Sequence, residues 1–410
     1  MANVRVLIAT HGTRGDVQPT IALGLELRAR GHEVRFLAPA NFTGWIASFG
    51  FRCDSDGIDV ERELRDPAVN IHSFRSQIAY FRDVVPKLFD TPLDASRDVD
   101  LIVGAGVQFG ALSIAERRGV PYASAAFCPC VVPGSVPPAI RRQALPPWAN
   151  RLIWRAVLPG MDLLVRGPMN RGRARLGLPP LARPMSALLQ RPILIASDVD
   201  LGPLAPDAPS TAVQTGAWIL NDPTPLDRTV AAFLDAGPPP VYIGFGSMVA
   251  KRVDRLAASV AAVARARPCR LIVSGGWVQL ERHLPPSDDV LIVDQPPHQA
   301  LFPRVAAVVH HGGAGTTLAA ARAGVPQVIL PHLLDQYYWA HRIETLGLGP
   351  ASVHVERITP DALLSRVRAA IGDPSYRTRA SAIATRIAAC NGVAAAADYL
   401  ERHVARRRAS

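Results

Sequence analysis

Lysine is almost missing from this chain. Lys87 and Lys251 are the two present among 410 residues, so the net charge of +11 is an arginine excess. Aromatic residues make up 6% and are not interleaved with the arginines, which argues against a nucleic-acid surface. The runs Arg141-Arg142, Arg171 to Arg175 and Arg406 to Arg408 could meet an anionic surface such as a membrane face, but the stronger reading is that Ala, Arg and Pro richness reflects a GC-rich genome. Cysteine is scarce as well. Cys53, Cys128, Cys130, Cys269 and Cys390 are odd in number and scattered, and Cys128-Pro129-Cys130 is too close for a CxxC metal pair. A disulfide framework is therefore excluded, and reduced, mostly buried thiols in a cytoplasmic protein are expected. No His, Cys or acidic cluster has metal-ligand spacing, so no metal is expected. No apolar run approaches the roughly 20 residues of a membrane span. The opening MANVRVLIAT enters a strand with no charged leader, long apolar core or cleavage site, so no signal peptide is expected.

What is present is apolar bulk. Apolar residues make up 49% of the chain, ample for two cores, and the length suggests two domains of about 200 residues each. The pattern is strand, turn, helix, strand, repeated. Val4 to Thr10 is a short apolar run, followed by the turn His11 to Pro19, a helix expected over about Thr20 to Arg30, and a strand over His32 to Ala38. Such βαβ units build a doubly wound α/β fold with parallel sheets. The first turn is not GxGxxG and no acid ends the second strand, so a dinucleotide cofactor is not expected. A Pro-rich stretch over Pro203 to Pro225 reads as the linker between two such units.

The most informative stretch is HHGGAGTTLAAARAGVPQVILPHLLDQ, His310 to Gln336. An apolar strand ends at His310, and a Gly-rich turn then opens a helix. The helix N-terminus offers unpaired N–H groups and partial positive charge, and glycine lets a phosphate approach the backbone. Thr316 adds a hydroxyl, and His311 a donor that strengthens if charged. Asp335 and Gln336 follow the next strand, where open α/β sheets bind ligands, and suit a polyhydroxylated group. Asp16, in the first turn, reads from chemistry alone either as a helix-capping carboxylate or as a crevice-facing group.

These motifs, together with Gly12-Thr13-Arg14-Gly15-Asp16-Val17-Gln18-Pro19, resemble those of nucleotide-sugar-dependent glycosyltransferases with two Rossmann-like domains facing a cleft, the B fold. The subgroup resembled contains the sterol glucosyltransferases and the glycosyltransferases of glycopeptide and macrolide antibiotics. The resemblance implies an acceptor-binding domain over 1–214, a nucleotide-sugar-binding domain over 215–390, and a terminal helix over 391–410 that crosses back. It implies an inverting transfer of a hexose, glucose-type favoured, to a hydroxyl of an apolar acceptor such as a sterol or macrolide. Uridine diphosphate glucose is favoured over a thymidine diphosphate sugar. It makes Asp16 the base, since the family's catalytic position falls there. Ser247, His311, Gly312, Gly313, Gly315 and Thr316 would hold the diphosphate. Trp277, Gln295 and His298 would meet the nucleotide base, and Asp335 and Gln336 the sugar. His11, Phe127 and Trp148 would lie in the acceptor cleft. No acid follows the strand Leu101 to Val103, where relatives with a histidine base carry its orienting carboxylate, and this absence fits an Asp base. Two rivals remain: a nucleotide-sugar epimerase of the same fold, and a non-catalytic partner protein.

Overall fold

The computed structural model describes residues 3–65, 74–89, 92–246, 253–275, 284 and 287–409. Two parallel sheets organise them. The first contains β1 (Arg5–His11), β2 (Glu33–Ala38), β3 (Arg52–Ser55), β4 (Leu101–Gly106), β5 (Tyr122–Ala126), β6 (Ile193–Ile195) and β7 (Ala212–Gln214), in the order β3-β2-β1-β4-β5-β6-β7. The second contains β8 (Val241–Gly244), β9 (Leu271–Ser274), β10 (Val290–Val293), β11 (Ala307–His310) and β12 (Gln327–Ile329), in the order β10-β9-β8-β11-β12. Central strands such as Val241–Gly244 and Ala307–His310 are buried throughout, because helices cover both faces of a parallel sheet. That is why they read as unbroken apolar runs rather than alternating ones.

Strand order reverses beside β1 and β4 in the first sheet, and beside β8 and β11 in the second. At such a reversal the flanking connections leave to opposite faces and open a crevice at the strands' C-terminal ends. The residues singled out by sequence, His11 to Asp16 and His310 to Thr316, follow β1 and β11 and so lie at these two points.

The first helix corrects one expectation. It spans Arg14–Ala29, beginning six residues before Thr20, and carries Pro19 inside it. Proline in the second turn removes one backbone hydrogen bond. Thr13 and Asp16 offset this by closing the helix start, as described below. The stretch Pro374–Arg408 contains an 18-residue window apolar enough for a membrane span, 39% of that window being buried, a feature not expected from the sequence. The stretch is two helices, Pro374–Ala388 and Gly392–Ala409. The second lies on the first domain, where Asp398 pairs with Arg30 at 2.5 Å and Glu401 with His32 at 3.0 Å. Gly216 and Gly392 meet so closely that a Cβ on Gly392 would sit 2.3 Å from the Gly216 carbonyl carbon. The domains also touch through Arg342, whose Nε donates to the Leu201 carbonyl at 2.8 Å, and through Cys128 and Cys130, buried with Tyr338 and Trp339.

Candidate active site

On the second domain the two adjacent histidines divide their tasks. His310 is fully buried; its Nδ1 accepts from the Gly312 N–H at 3.1 Å, so its Nε2 carries the proton and donates to Gln327 Oε1 at 2.9 Å. Gln327 in turn donates to the Thr317 carbonyl at 3.2 Å. This chain of bonds ties the end of β11 to the first turn of the helix Ala314–Arg322. Gly312 stands at φ +90°, and a Cβ there would meet Ile329 Cγ2 at 2.7 Å, so glycine is required. The backbone N–H groups of that first turn have no intrahelical acceptors and point outward from the helix. Gly315 leaves open space beside them.

His311 lies against this turn, its Nε2 2.5 Å from the position a Cβ on Gly313 would take. Its Nδ1 has no hydrogen-bond partner among the described residues. Burial, reinforced by His310 and His298, pushes its pKa down to about 3. The strengthening that charge would bring is therefore absent: in this environment His311 is a neutral imidazole with a single N–H.

Asp335 precedes the helix Gln336–Thr345 and makes no capping hydrogen bond to it. Its carboxyl is pushed up to about 7, first by burial and then by the charge of Asp16. Gln336 is more constrained: its Oε1 accepts from the His332 N–H at 2.8 Å and the Leu333 N–H at 3.2 Å, holding the turn after β12. Leu334 in that turn adopts φ +52°, a left-handed conformation that costs a branched residue energy and that surrounding bonds must impose.

On the first domain Asp16 occupies the third position of its helix. Its Oδ2 accepts from the Thr13 N–H at 2.8 Å and the Thr13 hydroxyl at 3.3 Å, half of a capping box. The two chemical readings of Asp16 therefore do not compete, because the second carboxylate oxygen is not needed for the cap. Burial raises its pKa, against the hydrogen bonds from Thr13. Gly12, at φ +146°, permits the approach: a Cβ there would lie 2.3 Å from Asp16 Oδ2.

His11 differs from the expected loop residue. It ends β1, is 1% exposed, and its Nδ1 meets Asp56 Oδ2 at 2.6 Å. Asp56 directly follows β3, and its other oxygen accepts from the Ile58 N–H at 2.9 Å. An imidazole-orienting carboxylate is thus present after all, brought from β3 rather than β4. The reading that flagged Asp335, an acid just past a strand's C-terminal end, would have found it.

The remaining candidates scatter. Gln295 is exposed and accepts from Arg14 Nη1 at 3.3 Å across the cleft. His298 is half-buried; it stacks on Phe302 at 4.3 Å, beside Tyr242, and burial pushes its pKa down to about 4. Phe127 packs edge-on against Trp218 at 6.2 Å. Trp148, in the first turn of the helix Pro147–Arg175, is 63% exposed. Ser247 and Trp277 lie outside the described residues. What the fold does bring together is Asp16 and Asp335, carboxyls from two domains close enough for one to raise the pKa of the other.

The raised pKa of Asp335 has a measurable consequence. An acid whose folded pKa lies above its ordinary value of 3.8 binds its proton more tightly when folded. Stability is therefore lost as pH rises from about 4 to about 7 and is level above that. Asp335→Asn removes this loss. Its Tm should overtake that of the parent across this window in thermal melts at fixed ionic strength, and a Tm difference independent of pH would refute the shift.

Residues 6–133 match the glycosyltransferase family 28 N-terminal domain, and residues 272–399 the C-terminal domain of the erythromycin biosynthesis protein CIII-like family. The chain is 38% identical over 411 residues to glycosyltransferase GtfE of Amycolatopsis orientalis, covering 97% of each chain. It is 36% identical to the vancomycin aglycone glucosyltransferase of the same organism, covering 99% of each, and 34% identical to its dTDP-epi-vancosaminyltransferase, covering 93% of each. Among solved structures, the glycotransferase of kitacinnamycin superposes with a TM-score of 0.75 at 19% identity, over 98% of this chain and 100% of that one. Glycosyltransferase VinC in complex with dTDP gives 0.70 at 21%, over 98% and 100%. At those identities the structures speak to the fold alone.

Proposed function

This chain belongs to the glycosyltransferases of the erythromycin CIII-like and glycopeptide-antibiotic type, with the two-domain B fold, and from that premise we propose that it moves a glucose-type hexose from a nucleoside diphosphate to a hydroxyl of a natural-product aglycone, with inversion at the anomeric carbon. The single observation that carries this reading is that Asp16 and Asp335 come from the two domains to within electrostatic reach of each other, the Asp16 charge adding to burial in raising the Asp335 pKa. A group on one domain that takes a proton and a group on the other that holds hydroxyls are what a transfer between two bound molecules needs. Family membership sets aside the epimerase and partner-protein rivals. The sterols among the acceptors first expected have no counterpart in the relatives named above.

In this mechanism the acceptor oxygen attacks the anomeric carbon as the diphosphate leaves from the opposite side. Asp16 takes the hydroxyl proton on its second carboxylate oxygen, while Thr13 holds the first. A carboxylate is a weak base for an alcohol, so the proton moves late, once carbon–oxygen bonding has acidified it. The helix Ala314–Arg322 turns its N-terminal N–H groups and neutral His311 toward the leaving diphosphate, whose charge grows in the transition state. Asp335, free of any capping bond, accepts from sugar hydroxyls.

The names of the relatives point to both a glucosyl and an epi-vancosaminyl donor. The Asp335 carboxylate favours the first, because a site built to hydrogen-bond hydroxyls rejects analogues that lack them. The test is a donor panel of uridine diphosphate glucose, thymidine diphosphate glucose and a thymidine-linked 2,6-dideoxyhexose, with vancomycin aglycone as acceptor. Released nucleoside diphosphate is the readout. Both glucose donors should outrun the dideoxy sugar, uridine diphosphate glucose foremost, and Asp335→Ala should erase the gap between glucose and dideoxyhexose. A dideoxyhexose that is turned over as fast or faster makes this a deoxysugar transferase instead.

A further inference from the structure

Three polar side chains near the C-terminal edge of the first sheet, two of them buried and the third half-buried, are not used by the chemistry above. Gln108 follows β4 by two residues and is 4% exposed, yet neither its Oε1 nor its Nε2 has a hydrogen-bond partner among the described residues. His11, paired in register with Gly106 at the end of β4, gives its Nδ1 to Asp56 and keeps an equally buried Nε2 without a partner among the described residues. Glu63, on the helix Val60–Arg65 that follows β3, has a buried Oε2 in the same condition.

These groups share one neighbourhood. Glu63 feels the charges of both His11 and Asp56. Val107, beside Gln108, donates its N–H to the His11 carbonyl at 2.9 Å. Gly110 passes between Gln108 and Leu88, and Leu88 packs with Ile58 and Val60 at the foot of the Glu63 helix. His11 and Gln108 follow β1 and β4, the strands that flank the crevice, and His11 leads into the turn that carries Asp16. One such orphan is tolerable in a folded protein, but three side chains together, each needing a partner that the protein does not supply, describe a site.

We propose that Gln108, Glu63 and the Asp56-oriented His11 form a polar acceptor subsite, which takes a second hydroxyl or amide group of the aglycone beside the hydroxyl that Asp16 activates. The proposal rests on the glycosyl-transfer reading and adds to it the chemistry of the acceptor. With Nδ1 engaged by Asp56, His11 Nε2 is left for a polar group of the ligand, accepting from an O–H or N–H in the neutral ring and donating in the charged one. Gln108 can donate and accept. Burial pushes the Glu63 pKa up, and its carboxyl oxygens can accept from a ligand O–H or N–H. A plain hydrocarbon alcohol satisfies none of these atoms. A phenol with a neighbouring hydroxyl, or a hydroxylated peptide, satisfies several, so His11 and Gln108 act as specificity-determining residues rather than catalytic ones.

Gln108→Leu is the variant of choice, because His11→Leu would leave Asp56 buried without its imidazole. Glu63→Gln, which keeps shape and hydrogen-bonding capacity, is the second. Acceptor kinetics are measured with 4-methylcatechol and 4-methylphenol, which differ by one adjacent hydroxyl, under saturating uridine diphosphate glucose. The parent should prefer the catechol by at least tenfold in kcat/KM through a lower KM, and Gln108→Leu should abolish the preference with kcat for the phenol kept. Its Tm should be no lower than the parent's, since the amide it removes is unsatisfied in the free protein. Glu63→Gln should retain most of the preference. A Tm that falls by several degrees while the catechol preference stays would overturn the proposal and make Gln108 a structural residue. If neither phenol nor vancomycin aglycone drives release of diphosphate from any donor, the proposed transfer to such an aglycone fails as a reading, and the melting of Gln108→Leu still decides whether the amide is satisfied internally.

Discussion

Asp16→Asn should cut turnover by about 10²- to 10⁴-fold, the range of a positioned general base, with donor affinity nearly unchanged. The substitution is chosen because it separates two roles that the structure gives to one carboxyl. Asparagine's side-chain oxygen can still accept from the Thr13 N–H, so the helix start at Arg14 should survive and the Tm should hold. Asp16→Ala removes both roles and should lose in addition about 1 kcal/mol of stability, the usual worth of such a cap. Near-normal turnover in the Asn variant would reduce Asp16 to its capping bond. The acid limb of the pH profile offers a second reading. Burial raises the Asp16 pKa, so kcat/KM should begin to fall at a pH above the ordinary 3.8 of an aspartate.

His311→Ala should slow transfer by about 10²- to 10³-fold, the cost of losing one preorganised donor at developing charge, and should weaken nucleoside diphosphate binding in titration calorimetry. The fold should remain cooperative, because His311 Nδ1 holds no partner among the described residues and its removal orphans nothing there. His310 makes the contrast. Its ring bridges Gly312 and Gln327, so His310→Ala should melt early through loss of the strand-to-helix turn. Since His311 stays neutral until about pH 3, its ionisation should leave no inflection in the rate between neutral and mildly acid pH. A drop in Tm with unchanged nucleotide affinity for His311→Ala would make it structural.

Much of this was legible in the sequence. Unbroken apolar runs such as Val241–Gly244 and Ala307–His310 could only be strands buried on both faces, and their alternation with helices could only be a parallel doubly wound sheet. The glycines after His311 announced an anion site because the local backbone alone determines where N–H groups at a helix N-terminus point. Two features were less visible. The helix start at Arg14 was hidden by Pro19, whose usual place at a helix beginning pointed further along the chain, and the capping bond from Thr13 to Asp16 overrode it. The charge state of His311 was hidden because it depends on burial and on His298, which arrives from a distant segment.

By itself, then, the sequence determined the fold class, the two crevices and the residue types at their edges, since each follows from short-range rules of periodicity and turn chemistry. Only the tertiary structure decided which of those residues meet. Asp56 reaches His11 because β3 and β1 flank β2 in one sheet, and Gln108 joins them because β4 lies on the other side of β1. The Asp335 pKa rises because the assembled fold buries it and then sets it, on a second domain, within reach of the Asp16 charge. Burial and charge act through space and not along the chain, so pairings between residues 45 or 319 positions apart (11 to 56, 16 to 335) come into being when the sheets assemble and the cleft forms.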